Sequence, residues 1–246
     1  MIQMRKFIKG IKFTGYCMFG LYFISMFVYP FYEHQLSWSA VQSVWSHWQT
    51  LNVGALAFLS SVILYNATKY HSESQRQRSF IASRAFLPEA FSELLDYLKE
   101  SSNVLRGAWL LSGRVGGNNK PSLPTDYKNI FRDCISHASP NFGDYLARFL
   151  VNLQIHDDRL GSLLEGTGHR ILSKTELVIY MYRLAELVVY INKAFQYARG
   201  ASDFDNSPFT VDDFRTAYLN MGINVQEFDN LWASTEQLIQ TYHSSN

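Results

Sequence analysis

Hydrophobic positions in this chain follow two different patterns. From Phe13 to Tyr32, twenty residues pass without a charge, crowded with Phe19, Tyr22, Phe23, Phe27 and Tyr29. From Trp48 to Thr68 runs a second uncharged stretch, built on Leu51, Val53, Leu56, Phe58, Leu59, Val62, Ile63 and Leu64. At a rise of about 1.5 Å per residue, twenty helical residues cover ~30 Å, the thickness of a bilayer's hydrocarbon core. The two runs predict two transmembrane helices joined by a short loop, Glu33–His47.

Past Thr68 the pattern becomes that of soluble helices. Residues 70–86 are polar and basic but contain no Gly or Pro, so the second span is free to continue as a helix beyond the lipid. Pro88 suits a first helical turn. After it, Phe91, Leu94, Leu95, Leu98 and Leu105 recur at helical spacing through Gly107. Gly113–Pro124 reads as a loop. Helices are expected over Asp126–Ala138 and over Gly143–Leu164, the latter facing inward with Tyr145, Phe149, Leu150, Leu153, Leu160 and Leu163.

Ser173 and Glu176 then form a capping box, in which hydroxyl and carboxylate satisfy each other's free backbone N–H. Leu177, Met181, Leu184, Val188, Ile191, Phe195 and Ala198 follow in alternating steps of four and three. Further apolar residues leave only a narrow polar face of Glu176, Arg183, Glu186, Lys193 and Gln196. A helix so nearly apolar all round belongs at the centre of a bundle rather than in a two-stranded seam. Thr210 with Asp213, and Asn224 with Glu227, predict helix starts for 211–221 and 225–242. The expected fold is all-α: an N-terminal two-helix transmembrane hairpin with a basic arm, 1–69, then a cytoplasmic α-helical bundle of about six helices, 70–246.

Charge orients the hairpin. Arg5, Lys6, Lys9 and Lys12 precede the first run with no acid among them, the loop 33–47 has no Lys or Arg, and Lys69, Arg76, Arg78 and Arg84 follow the second run. Lys and Arg stay cytoplasmic, which puts both termini inside. Tyr32, Trp38, Trp45 and Trp48 suit the outer interface. A cleaved signal peptide fits the first run poorly: the run is too long, and Val28-Tyr-Pro-Phe31 is no small-residue cleavage site. A buried soluble hairpin would not require the charge asymmetry. The acid-rich end, with Arg215 the one base against seven acids from Gly200 onward, argues against direct nucleic-acid contact there.

Thr50, Gly54, Ala57, Ser61 and Thr68 fall on one face of the second span. Small residues let helices approach closely in lipid, so this stripe either packs on the first span or forms a self-association seam or pore lining. Two helices cannot enclose a channel, so permeation would need several copies.

Candidate chemistry is sparse. Cys17 and Cys134 have neither metal-ligand spacing nor a plausible pairing. His156-Asp157-Asp158 invites comparison with metal-dependent phosphohydrolases of the HD type, with His137, His156, Asp157 and Asp203 or Asp205 as ligands. The bland alternative is a polar, exposed helix surface. Asp203-Phe-Asp205 opens like a calcium loop, but Pro208 stands where the turn glycine belongs and Phe214 where the bidentate Glu belongs. No cofactor fingerprint or nucleophile motif is present, and neither a cofactor nor enzymatic activity is expected.

Two N-terminal spans followed by Arg84-Ala-Phe-Leu-Pro88-Glu-Ala-Phe-Ser-Glu-Leu-Leu-Asp-Tyr97 resemble the two-span membrane effectors of bacterial retron anti-phage systems, over roughly residues 10–110. The resemblance implies an inner-membrane toxin held quiet by a reverse transcriptase and its RNA–DNA product. When released during infection, such a toxin permeabilises the membrane, and no catalytic residues come with it. The alternatives are a membrane-anchored scaffold or sensor, and an anchored metal-dependent hydrolase.

Overall fold

A computed structural model of the chain describes residues 15, 17, 19–29, 32, 37–114, 120–165, 171–228 and 230–243. The basic arm with Arg5, Lys6, Lys9 and Lys12 lies outside the described residues, as do Phe13, Tyr16 and the loop residues 115–119. Regular structure among the described residues is helical, apart from one isolated antiparallel bridge between Arg114 and Ile171. The chain divides into two compact units, Met1–Ser72 and Glu73–Asn246.

In the first unit the residues described from the first apolar run are helical and include a π-helical turn, Ile24–Val28. Against that turn packs a helix, α1, Trp38–His47. This corrects the expected loop: 37–47 contains no Gly or Pro, and Trp38, Val41, Val44, Trp45 and Trp48 recur in steps of three and four. After Trp48 begins α2, Gln49–Arg84, which runs on into the second unit. No Gly or Pro interrupts the sequence between Gly54 and Pro88, so nothing stops the helix at the end of the apolar run.

The architecture is therefore not a clear pair of matched rods above a bundle. It contains one long bent helix, Gln49–Leu110. The bend falls at Ala85–Phe86, where α2 gives way to α3, Leu87–Leu110. Pro88 lies in the first turn of α3. It has no N–H to give to the carbonyl four residues back, and its ring crowds that carbonyl.

The second unit is a helical bundle. To α3 it adds α4, Tyr127–His137; α5, Pro140–Glu165; α6, Lys174–Ala198; α7, Val211–Asn220; and α8, Leu231–His243. The central helix is α6, which packs on α3, α5, α7 and α8. All the residues of its four-three repeat are buried except Phe195, which is partly buried. Its Ser173–Glu176 capping box is formed in both directions, as is Thr210–Asp213 at the start of α7. Aromatic rings fill the space around α6, with Phe131 stacked on Phe149 at 5.5 Å and Tyr182 on Phe214 at 5.0 Å.

Several boundaries differ from expectation. α5 begins at Pro140 rather than Gly143, because a proline is at home in a first turn. The single helix expected over 225–242 is a 3₁₀ turn, Val225–Glu227, followed by α8. Asn224 does cap, accepting from Gln226 N at 3.2 Å, but Asn230 takes a left-handed φ of 61° and breaks the path. Gly113, with φ 88°, ends α3 by donating to Ala108 O at 2.8 Å, and its carbonyl accepts from Leu172 N at 2.9 Å. A side chain at Gly113 would collide with the Leu172 carbonyl.

Candidate functional site

The most distinctive surface lies along the first half of α2. Leu51, Val53, Leu56, Phe58, Val62, Ile63, Leu64 and Tyr65 are all exposed. Within the most apolar 18-residue window of the bent helix, only 6% is buried. Among the described residues this is the one helix long and apolar enough to cross a membrane. A helix apolar around most of its circumference is normally enclosed, by a protein core or by lipid. Its polar side chains are satisfied locally. Ser60 donates to Leu56 O, Ser61 to Ala57 O, Asn66 to Val62 O and Thr68 to Leu64 O, each at 2.9 Å. Such back-bonding satisfies the three hydroxyl protons and one N–H of the Asn66 amide within the helix itself.

Thr50, Gly54, Ala57, Ser61 and Thr68 are all exposed, and nothing lies within 4 Å of where a Gly54 Cβ would stand. Among the described residues, the contact from α2 to the first apolar run goes through Asn52 instead. Asn52 is buried, accepts from Tyr22 Oη at 2.7 Å and donates to Trp45 O at 3.1 Å. Asn52 was missed as a tie point; its sequence signal is no more than an amide near the start of an uncharged run that also carries Gln49 and Asn66.

The basic residues after the apolar run do not form one set. Lys69 and Arg78 are exposed. Arg76 grips Glu73 at 2.7 and 3.1 Å and donates from Nη1 to His137 O and Ala138 O at 2.9 and 2.7 Å. Those carbonyls belong to the end of α4, where the helix dipole favours a cation. Arg84 lies over the rings of Phe80 and Tyr197, 5.6 and 5.3 Å from their centroids. Arg76 and Arg84 thus have structural work inside the second unit. The Arg84–Tyr97 run does too: Leu87, Ala90, Phe91, Leu94 and Tyr97 are buried.

The His156–Asp157 pair is not an exposed surface. His156 on α5 is 4% exposed, and among the described residues its Nε2 has no hydrogen-bond partner. Burial holds its imidazole down at about 4, against the pull of Asp157. Asp157 accepts from Tyr97 Oη and from Lys120 Nζ, both at 2.9 Å. Burial, with Asp157 beside it, pushes the Tyr97 hydroxyl well above the ordinary phenol range. These bonds tie α3, α5 and the segment before α4 together.

The remaining metal candidates stand apart. The ring of His137 bonds to Asp133 O on α4 at 2.9 Å, and Asp205 accepts from Ser207 N and Oγ at 2.8 and 2.9 Å. Among the described residues no three His, Cys, Asp or Glu side chains gather in a way that could hold a metal. Glu186, expected on the polar face of α6, is buried and paired with Arg183 at 2.8 Å. Burial raises the Cys134 thiol to about 12, which keeps it protonated and unreactive.

One cleft, of about 480 Å³, opens between α5 and the segment leading into α7. Buried Tyr190 and Phe209 and exposed Asn141, Asp144, Arg148 and Asn206 line it. Lys193 holds that segment in place, donating to Ser207 O and Oγ at 3.1 and 2.7 Å.

Compared with protein-family models, with curated proteins and with solved structures, the chain gives no match in any of the three.

Proposed function

We propose that this chain is a membrane-embedded effector of an anti-phage, abortive-infection system that permeabilises the bacterial inner membrane when a partner complex releases it. In this reading Phe13–Tyr32 and the first half of α2 form a transmembrane hairpin, 1–69. The helical domain, 70–246, hangs in the cytoplasm with both termini. The observation that supports it is the exposed apolar length of α2, which nothing among the described residues covers. Burying each large side chain of that kind is worth about 1.5–3 kcal/mol, so the helix has a strong preference for a non-aqueous surrounding.

The proposed partner follows from the resemblance of Arg84–Tyr97: a reverse transcriptase with its RNA–DNA product. Regulation then requires only that the partner bind the quiet state better than the assembled one. Self-association in lipid, through the stripe from Thr50 to Thr68, would supply the copies that two helices alone lack.

Expression of the chain without a partner tests this. Cells should take up a membrane-impermeant DNA dye as growth stops. Growth arrest with the dye excluded would overturn the reading. Ala57→Leu and Ser61→Leu should each weaken killing; wild-type killing by both removes the stripe from the mechanism.

The cleft beside Tyr190 and Phe209 favours a second reading, a membrane-anchored scaffold or sensor whose helical domain docks a cytoplasmic partner. Exchanging 1–69 for an unrelated two-helix anchor separates the two: a scaffold keeps its activity and an effector loses it.

A further inference from the structure

The helix that replaces the expected loop has a character the proposed function does not use. α1 and its C-cap Trp48 contain no Asp, Glu, Lys or Arg. At helical spacing Trp38, Val41, Val44, Trp45 and Trp48 fall within about 120° of arc, and Ser39, Gln42, Ser43, Ser46 and His47 take the other side. The apolar side is itself divided. Val41 is buried, with Val44 and Trp45 half-buried, whereas Trp38 and Trp48 are 66% and 50% exposed at the two ends of the helix.

α1 is not the opening of α2. Trp48 stands between them with φ −103° and ψ 27°, outside the helical well. Nor does either bulk phase suit α1. Hydrocarbon would strand Gln42 and His47, although Ser46 bonds back to Ser43 O at 2.8 Å, and water would strand two large indoles. The boundary between headgroups and acyl chains accommodates both sides, and indole rings concentrate there. Three positions after Trp48, at Leu51, the exposed apolar residues of α2 begin.

We propose that α1 is an interfacial helix. It lies in the plane of the outer leaflet at the level of the glycerol backbone, anchored by Trp38 and Trp48. With no Lys or Arg, it lacks the attraction of about 1 kcal/mol per such side chain that anionic lipid offers. Its partner is therefore the interface of zwitterionic and anionic phospholipids alike. The inference rests on the membrane reading of α2.

The test uses the full chain reconstituted into phosphatidylcholine vesicles, with and without added phosphatidylglycerol. The chain has five tryptophans; in two variants four are replaced by Phe, leaving Trp38 or Trp48 alone. Each should be quenched most by lipids brominated close to the glycerol, in both lipid mixtures, and little by aqueous acrylamide. Acrylamide quenching like that of free tryptophan, in a chain that floats with the vesicles, overturns the interfacial helix and leaves the membrane reading standing. Strongest quenching by bromines at the acyl ends, or shallow quenching only with anionic lipid, also overturns it. A chain that does not float with the vesicles overturns the membrane reading itself.

Should the multiply substituted chains misfold, Trp38→Ser with Trp48→Ser in the otherwise native chain gives the same answer. Vesicle binding should persist and the shallow-bromine share of quenching should fall to what the half-buried Trp45 supplies. An unchanged share overturns the proposal.

Discussion

The first half of α2 and the whole of α6 are built from the same kinds of side chain, yet their surroundings are opposite. In α6, Leu177, Met181, Leu184, Val188 and Ile191 are buried under α3, α5, α7 and α8. In α2, Leu51, Leu56, Phe58, Ile63 and Leu64 are exposed. Their polar residues differ in the same sense. α6 spends Lys193 on the segment before α7 and offers the Tyr190 carbonyl to Tyr145 Oη at 2.8 Å. α2 turns Ser60, Ser61, Asn66 and Thr68 back onto its own carbonyls. An apolar helix surface therefore states that water must be replaced and does not state by what. The direction of the polar bonds does not state it either, since exposed Ser92, Ser136 and Ser162 of the bundle bond back onto their own helices in the same way.

The largest effect expected from this contrast is in the core. Leu184→Ala should cost the bundle about 2–5 kcal/mol, because it deletes a fully buried side chain and leaves a cavity. Leu64→Ala should change bundle stability by less than about 0.5 kcal/mol. Chemical denaturation in detergent, followed by the fluorescence of Trp109 and Trp232, measures both, and equal losses would erase the distinction.

A charge sharpens the other side of the comparison. Val62→Arg should disfavour membrane insertion by about 2.5–3.5 kcal/mol while leaving bundle denaturation unchanged. Alkaline extraction of membranes reads the first quantity. An Arg variant that stays in the membrane pellet as firmly as wild type contradicts the assignment of α2 to lipid.

The buried imidazole gives the bundle a pH response. Unfolded, His156 takes up a proton below about pH 6.5; folded, it stays neutral down to about 4, with Asp157, Lys120 and Arg159 around it. Between those values the unfolded state binds more protons, so stability falls as pH drops from about 6.5 to 4. The total loss is on the order of 3 kcal/mol. His156→Asn should flatten that slope in denaturation midpoints measured across the range. A slope unchanged by the substitution assigns the response to other groups.

The smallest effect belongs to helix ends. Ser173→Ala removes the hydroxyl that accepts from Glu176 N and should lower bundle stability by about 1 kcal/mol. A melting midpoint unmoved by the change would mean that the capping box contributes nothing.

Much of this was legible without coordinates, wherever the signal was local. The capping boxes at Ser173 and Thr210, the centrality of α6 and the uninterrupted course of α2 all follow from neighbours within four residues. The break at Asn230 was not legible, since an asparagine takes a left-handed φ only where the surrounding chain demands it. α1 was hidden by composition: a serine-rich segment between two apolar runs reads as a loop unless its tryptophans and valines are counted at helical spacing.

The sequence by itself determined that the chain is helical, where its glycines and prolines end or bend helices, and which surfaces shun water. Only the tertiary structure decided that Arg76 caps α4 and that Arg84 covers aromatic rings. It also buried His156 instead of exposing it, and spread the metal candidates apart. The physical reason is distance along the chain. Helix formation and capping depend on bonds spanning three or four residues, whereas Arg76 finds its carbonyls 61 and 62 positions away. No spacing rule reaches that far; only packing brings such groups together.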